Sequence, residues 1–116
     1  MRDLDLRTDG ELLVATALDP EAFAVFYRRH ARGMVAFFRR RTGDPTVAEQ
    51  LTATTFAVAL EESRHYVLRP EPARSWLYGI AWSKLHEAGY AVYTRDPALS
   101  GRFARRVRSA LPARPA

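Results

Sequence analysis

Three Asp-Pro pairs constrain the fold of this chain more than any other feature of its sequence. The pairs are Asp19-Pro20, Asp44-Pro45 and Asp96-Pro97. An aspartate side chain accepts hydrogen bonds from the free amides of a first helical turn, and proline is tolerated there because its missing amide needs no partner. Each pair therefore predicts the start of a helix. Gly43, directly before the second pair, predicts a left-handed stop for the preceding helix.

Between these points, apolar residues recur at spacings of three and four, which is typical of amphipathic helices. We predict four helices, at residues 9–18, 20–42, 45–64 and 73–94. Residues 65–72 contain two prolines and are expected to form a loop. The expected fold class is all-α, a compact bundle of four to five helices. One domain is expected over residues 1–96, followed by a basic helix and an Ala/Pro linker or tail over residues 97–116.

The apolar stripes also predict the core. On the second helix the stripe contains Phe23, Phe26, Tyr27, His30, Met34, Phe37 and Phe38. On the third helix it contains Val47, Leu51, Thr55, Phe56, Val58 and Leu60, a wide set that favours a central position. On the fourth it contains Ala73, Trp76, Leu77, Ile80, Ala81, Leu85 and Ala88. Gly79 and Gly89 are expected to weaken the fourth helix by about 1 kcal/mol each relative to alanine.

Composition and motifs argue against catalysis. The three histidines lie on different segments without metal-site spacing, and neither a Gly-x-Ser-x-Gly turn nor a glycine-rich phosphate loop occurs. The absence of cysteine excludes disulfides, thiolate ligands and cysteine nucleophiles. The chain has no long apolar run and its first residues lack a signal-peptide pattern. We therefore expect no enzymatic activity, no cofactor, no bound metal, no membrane partner and a cytoplasmic location.

Charge is distributed unevenly along the chain. The net charge is +5, and 17 of the 18 basic residues are arginine. Residues 21–43 hold six arginines against one glutamate, whereas residues 44–68 hold one arginine against four acids. Arginine suits phosphates because its planar fork donates two parallel hydrogen bonds, although a genome rich in G and C explains the arginine excess equally well. The blocks indicate two faces with different partners.

Three strings, in order and with the appropriate gaps, resemble region two of an extracytoplasmic-function sigma factor of bacterial RNA polymerase. The first is residues 23–30, FAVFYRRH. The second is residues 41–56, with its Gly-Asp, Ala-Glu and Thr-Phe pairs. The third is residues 74–81, RSWLYGIA. The resemblance covers about residues 11–95 and identifies residues 1–96 as a sigma region-two-like domain.

The resemblance implies two binding surfaces. The helix matching residues 45–62 would dock on a coiled coil of the largest polymerase subunit. Its expected contact residues are Glu49, Gln50, Ala53 and Thr54. The loop and helix matching residues 65–95 would grip the non-template strand of the minus-ten promoter element and hold a flipped base, with aromatic stacking worth roughly 1–3 kcal/mol per base. Its expected contact residues are Tyr66, Arg69, Arg74, Trp76, Tyr78, Trp82, Ser83, Lys84 and His86.

Several positions depart from the family pattern. Gln50 stands where the family usually has Asp, and Ala53-Thr54 stands where it has Gln-Glu, so polymerase docking is expected to be weaker or altered. Trp82 stands where the family usually has Arg. Tyr78 and Trp82 lie one helical turn apart, away from the predicted core stripe. A Tyr-Trp pair there would bind a protein partner, stack on bases, or pack under the arginine-rich tail as an extension of the core.

Three interpretations follow. In the first, the chain is a sigma module that binds core polymerase and promoter DNA, and that an anti-sigma or other regulatory protein controls. In the second, it is a degenerate sigma-like domain that acts as a protein-binding adaptor or regulator without promoter recognition. In the third, it is a generic basic helical domain that binds nucleic acid non-specifically. The sequence leaves open whether the chain is an excised domain or a complete protein.

Overall fold

The computed structural model describes residues 3–90, and within them it contains four α-helices and no strand. After a 3-10 turn at Asp3–Leu6, the helices are α1 (Asp9–Ala15), α2 (Pro20–Thr42), α3 (Pro45–Glu62) and α4 (Ala73–Glu87), with a second 3-10 turn at Ser63–His65. The predicted all-α fold class is confirmed. The third Asp-Pro pair and the predicted helix and linker at residues 97–116 lie outside the described residues.

Side-chain caps explain where the two long helices begin. Asp19 Oδ1 accepts a hydrogen bond of 3.0 Å from the Glu21 amide. Asp44 Oδ1 accepts from the amides of Thr46 and Val47, at 2.9 and 3.3 Å. Gly43 ends α2 with a φ of 69°, in the left-handed region. The two helix starts and the left-handed stop predicted from the sequence are therefore confirmed.

A capping box that the sequence analysis missed starts α1. The Glu11 amide donates to Thr8 Oγ1, and the Thr8 amide donates to Glu11 Oε1. The hydrogen bonds from Thr8 lower the pKa of Glu11. Although α1 has only seven residues, it buries Leu12 and Leu13 completely.

Gly89 ends the fourth helix earlier than predicted. Its φ is 94°, its amide donates to the His86 carbonyl oxygen, and the Tyr90 amide donates to the Leu85 carbonyl oxygen. This pair of bonds is a Schellman motif, which satisfies the last carbonyls of a helix. Gly89 was predicted to weaken the helix from inside, and that prediction is wrong because the residue lies beyond the helix end.

The core lies between α2 and the helices α1 and α3, and α4 closes it by packing mainly on α3. Its largest fully buried side chains are Phe26, Phe38, Leu12, Leu13, Met34, Leu77, Leu85 and Thr55. Three predicted core residues are exposed instead: Tyr27 by 44%, Leu60 by 48%, and Ala88. Tyr27 lies at the edge of the α2–α3 contact, with its ring 4.8 Å from Phe56. α1 also packs on α2, and the buried residues of α2 include Ala22 and Val25.

Candidate functional site

The outer face of α3 presents the four residues predicted to contact polymerase. Glu49, Gln50, Ala53 and Thr54 are all exposed. They lie on neighbouring turns of the helix, and Thr54 Oγ1 donates a hydrogen bond of 3.0 Å to the Gln50 carbonyl oxygen. One carboxylate among small and neutral side chains gives this face little charge.

The inner side of α3 is closed off from partners. It buries Ala48, Thr52, Thr55, Phe56 and Ala59 against the rest of the bundle. The two threonine hydroxyls donate back to carbonyl oxygens four residues earlier, at 2.8 and 2.7 Å. Because these hydroxyls are satisfied within the helix, the buried polar groups need no partner. The outer face alone is therefore available for docking.

The nine residues predicted to contact DNA do not form one surface. The structure brings eight of them into three sets around α4. The sets are Tyr66 with Arg69, then Trp76 with Ser83 and Lys84, and then Arg74 with Tyr78 and Trp82. His86 is half-buried and belongs to none of them.

Tyr66 and Arg69 line a cleft of about 350 Å³ between the start of α1 and the loop before α4. Prolines and Leu68 form its apolar walls, and Thr8, Asp9, Arg69 and Glu71 add polar groups. A Cβ at Gly10 would lie 3.0 Å from Leu68 Cδ2, so the exposed Leu68 side chain would have to shift to accommodate it. Burial raises the pKa of Tyr66, which is only 9% exposed.

Trp76, Ser83 and Lys84 line a groove between α3 and α4. Its other lining residues are Val58, Glu62, Gly79, Ile80 and Glu87. Lys84 Nζ lies 3.1 Å from Glu87 Oε2, so this cation is already paired. The Tyr66 and Trp76 rings meet edge to face, with centroids 5.2 Å apart, which joins this groove to the cleft. Two carboxylates against one lysine leave the groove weakly acidic.

Arg74, Tyr78 and Trp82 lie on the opposite flank of α4, against α2. Trp82 is only 9% exposed, and its ring packs edge-on against Phe37 with centroids 5.1 Å apart. Tyr78 packs on the same ring at 5.2 Å. The two interpretations that need an exposed Trp82 are therefore wrong, and the pair extends the core instead. The helical periodicity of α4 alone does not reveal that Phe37 reaches across from α2 and covers Trp82.

Two arginines complete this aromatic flank. The Arg41 guanidinium carbon lies 3.9 Å from the Phe37 ring centroid and 4.8 Å from that of Trp82. The Arg74 guanidinium carbon lies 5.2 Å from the Tyr78 ring centroid. Burial against the rings lowers the pKa of Arg41, and the neighbouring charge of Arg40 lowers it further. The aromatic–arginine flank, as we call this set, thus holds two cations on ring faces.

Sequence analysis missed the α2 half of this flank. Phe37 was assigned to the core, and Arg41 was given no role at the site. Gly33 also belongs here, because a Cβ at this position would lie 3.3 Å from Tyr78 Oη. The sequence signal that could have revealed this half of the flank is a spacing shared by α2 and α4. Residues 33, 37 and 41 of α2 lie four positions apart, as do residues 74, 78 and 82 of α4, so each set lies along one side of its helix.

Asp9 ties α1 to α2 beside the cleft. Its two carboxylate oxygens lie 3.1 Å from Arg29 Nη1 and 2.8 Å from His30 Nε2. Arg29 also donates to the Asp5 carbonyl oxygen, at 2.9 Å. His30 was predicted to lie in the core stripe of the second helix, and the structure places it half-buried with Asp9 as its hydrogen-bond partner.

Among residues 3–90, no group of three or more histidine or acidic side chains is arranged to hold a metal ion. Within the same residues, no helix combines the length and apolar character needed to cross a membrane.

Comparison with known proteins identifies one family. Residues 26–88 match the family described as sigma-70 region 2. No curated protein matches the chain significantly, and no solved structure does. The matched residues include most of α2, all of α3 and all of α4, so they cover every described helix except α1. This family is a transcription-factor domain rather than a known enzyme family, and its members bind core RNA polymerase and the minus-ten promoter element. The chain belongs to the sigma-70 region 2 family.

Proposed function

We propose that this chain is a transcription initiation module that binds core RNA polymerase through α3 and single-stranded minus-ten DNA through α4 and the preceding loop. The observation that carries the proposal is the family match over residues 26–88, which includes both elements. The chemistry of the two surfaces supports it independently.

The polymerase contact is assigned to the outer face of α3. Glu49, Gln50, Ala53 and Thr54 are exposed there, and no described cation is paired with Glu49. A coiled coil can approach such a face closely because small side chains leave room between helices. Gln50, Ala53 and Thr54 replace the polar and acidic residues usual in the family, so this interface depends more on shape than on charge.

The DNA contact is assigned to the cleft at Tyr66 and Arg69 together with Arg74 and Tyr78. The cleft offers apolar walls and polar groups at its rim, which is what a flipped base requires of its pocket. Arg69 and Arg74 are exposed and attract the phosphate backbone. Trp82 and Tyr66 are largely buried, so we assign them the role of supporting the surface.

Substitution of Ala53 by arginine tests the polymerase contact. We expect Ala53→Arg to lower affinity for isolated bacterial core polymerase at least about tenfold, because a bulky, unpaired charge at a packed interface costs several kcal/mol. Affinity is measured by fluorescence anisotropy of the labelled chain.

Val14→Arg provides the matched control, because Val14 is an exposed apolar residue on α1, at 45% exposure. It adds the same charge away from α3 and is expected to leave the affinity unchanged. Equal losses in both variants would contradict the assignment to α3. Absence of any binding by the native chain would contradict the proposed function itself.

A pair of single-charge deletions tests the DNA contact. Arg74→Ala is expected to weaken binding of single-stranded minus-ten oligonucleotides several-fold, whereas Lys84→Ala is expected to have little effect, because Lys84 is already paired with Glu87. Both variants are titrated against a panel of minus-ten elements and scrambled sequences. Equal losses would show that net charge alone determines binding, and no preference over scrambled sequences would contradict promoter recognition.

Narrower expectations accompany this proposal. The chain would belong to the extracytoplasmic-function subgroup and act in the cytoplasm of a bacterium. An anti-sigma or other regulatory protein would act by covering the α3 face. In the adaptor alternative, a protein partner would bind at the Tyr78–Trp82 pair, and the burial of Trp82 leaves little surface there.

A further inference from the structure

The outer surface of α2 carries cations that have no partner within the described part of the chain. Arg28 is paired with Glu21, and Arg29 is paired with Asp9. Arg32, Arg39 and Arg40 are exposed, and none of them forms an ion pair with a residue in the range 3–90. Unpaired like charges on one helix repel each other, so this surface is stable only when it faces solvent or binds an anionic partner.

The three arginines border a shallow depression along α2. Its floor is formed by Ala31, Val35 and Ala36, and Arg32, Arg39 and Arg40 also line it. Arg32 and Arg39 are seven residues apart, which is two helical turns and about 10.5 Å along the axis. They therefore lie on the same side of the helix. Because the side chains between them are short, both guanidinium groups can reach one extended ligand.

We propose that this α2 surface binds the phosphate backbone of duplex DNA without regard to sequence. Guanidinium groups bind phosphate oxygens with paired, charge-assisted hydrogen bonds, and such contacts position a protein on DNA without reading bases. The surface is separate from the cleft and from α4, so it adds a second contact to the proposed single-strand site. It does not depend on promoter recognition.

The chemistry of the depression favours DNA over an acidic protein segment. Protein partners are usually anchored by large side chains that enter a pocket. Within residues 3–90, the floor of the depression is formed by two alanines and one valine of a single helix, and these short side chains offer a shallow surface rather than a pocket. A phosphate backbone needs only cations at intervals along its path. The nearby Arg41 extends the positive charge toward the aromatic–arginine flank.

The test uses the full chain and a labelled duplex without any promoter sequence. We compare the native chain with Arg32→Ala/Arg39→Ala and measure affinity by anisotropy over a range of salt concentrations. Each phosphate contact contributes about 0.9 to the slope of log K against log salt concentration. The double variant is therefore expected to reduce the slope by about 1.8 and to bind several-fold more weakly at low salt.

Arg7→Ala/Arg64→Ala is the matched control, since it removes two exposed arginines that lie off α2. It is expected to retain most of the native slope. Equal reductions in both double variants would overturn the proposal, because net charge alone would explain them. A native slope in Arg32→Ala/Arg39→Ala would also overturn it, as would binding of poly-glutamate that depends on these arginines while duplex binding does not.

The result is separable from that of the single-strand experiment. If duplex binding depends on Arg32 and Arg39 but no minus-ten preference exists, the α2 proposal holds and the proposed function fails. If the minus-ten preference exists and duplex binding is insensitive to these arginines, the proposed function holds and the α2 proposal fails.

Discussion

The two flanks of α4 hold the helix in place by different means. Toward α2, the backbones do not pack closely, and the rings of Phe37, Tyr78 and Trp82 span the gap. Toward α3, the helices pack more closely, with Gly79 and Ser83 buried on the α4 side.

The flank toward α2 therefore stabilises the fold, whereas the flank toward α3 leaves a groove accessible to partners. In the aromatic–arginine flank the rings pack edge to face with cations over them, so truncation of a ring removes packing contacts on both sides. The α3 flank has small residues and a groove, and its charged side chains lie at the rim. We therefore expect substitutions on the α2 flank to lower stability and most substitutions at the α3 rim to have little effect on it.

Trp82→Ala is expected to have the largest effect. Truncation of a buried tryptophan should lower the free energy of unfolding by about 3–5 kcal/mol, because it leaves a cavity against Phe37. Glu87→Ala, at the rim of the opposite flank, should change it by no more than about 0.5 kcal/mol. Urea denaturation followed by circular dichroism measures both. Similar losses in the two variants would break the comparison between the flanks.

Arg41→Met is expected to lower the free energy of unfolding by about 1 kcal/mol, an intermediate effect. The substitution keeps much of the apolar stem but removes the cation from the faces of Phe37 and Trp82. Arg40→Met is the control, because Arg40 is exposed and its guanidinium lies over no ring within residues 3–90. A double-mutant cycle with Trp82→Leu should show coupling for Arg41 only. Additive effects at Arg41 would mean that the cation contributes nothing through the ring.

The smallest effect is expected from the titration of Tyr66, where the cleft joins the α3 flank. Burial raises the pKa of its hydroxyl above the ordinary value of 10.0. A raised pKa means that the folded state holds the proton more tightly than the unfolded state. Stability from this group is therefore complete below pH 10.0 and declines as the pH rises toward the folded pKa.

Tyr66→Phe isolates that contribution, because phenylalanine keeps the ring beside Trp76 and has no proton to lose. Urea denaturation at pH 9 and at higher pH compares the variant with the native chain. The native chain should lose more stability than Tyr66→Phe over this interval. Parallel losses would assign the alkaline sensitivity to other groups.

Local signals predicted the helix starts because their chemistry is contained within a few residues. The carboxylates of Asp19 and Asp44 bond to amides two or three positions ahead, and a proline follows each of them. Gly43 likewise ends its helix through its own backbone conformation. The family resemblance also followed from short strings, and the match over residues 26–88 confirms it at the level of sigma-70 region 2.

Features that depend on a neighbouring helix were harder to predict. Trp82 was expected to be exposed because the periodicity of α4 gives only one side of each contact, and Phe37 supplies the other. Leu60 was expected in the core, yet it lies on a part of α3 that no described helix covers, at 48% exposure. The roles of the polymerase and DNA contacts stay predictions, because they depend on molecules that bind the chain.

The packing of α1 has a practical consequence for anyone who shortens this protein. The family match begins at residue 26, which would suggest that a fragment starting there is sufficient. Leu12 and Leu13 have no exposed surface, however, and they belong to the same core as Phe26. Removal of α1 would uncover that core and forfeit roughly 1.5–3 kcal/mol for each leucine. The minimal unit for expression therefore begins at the capping residue Thr8 or earlier, well before the boundary that sequence matching suggests.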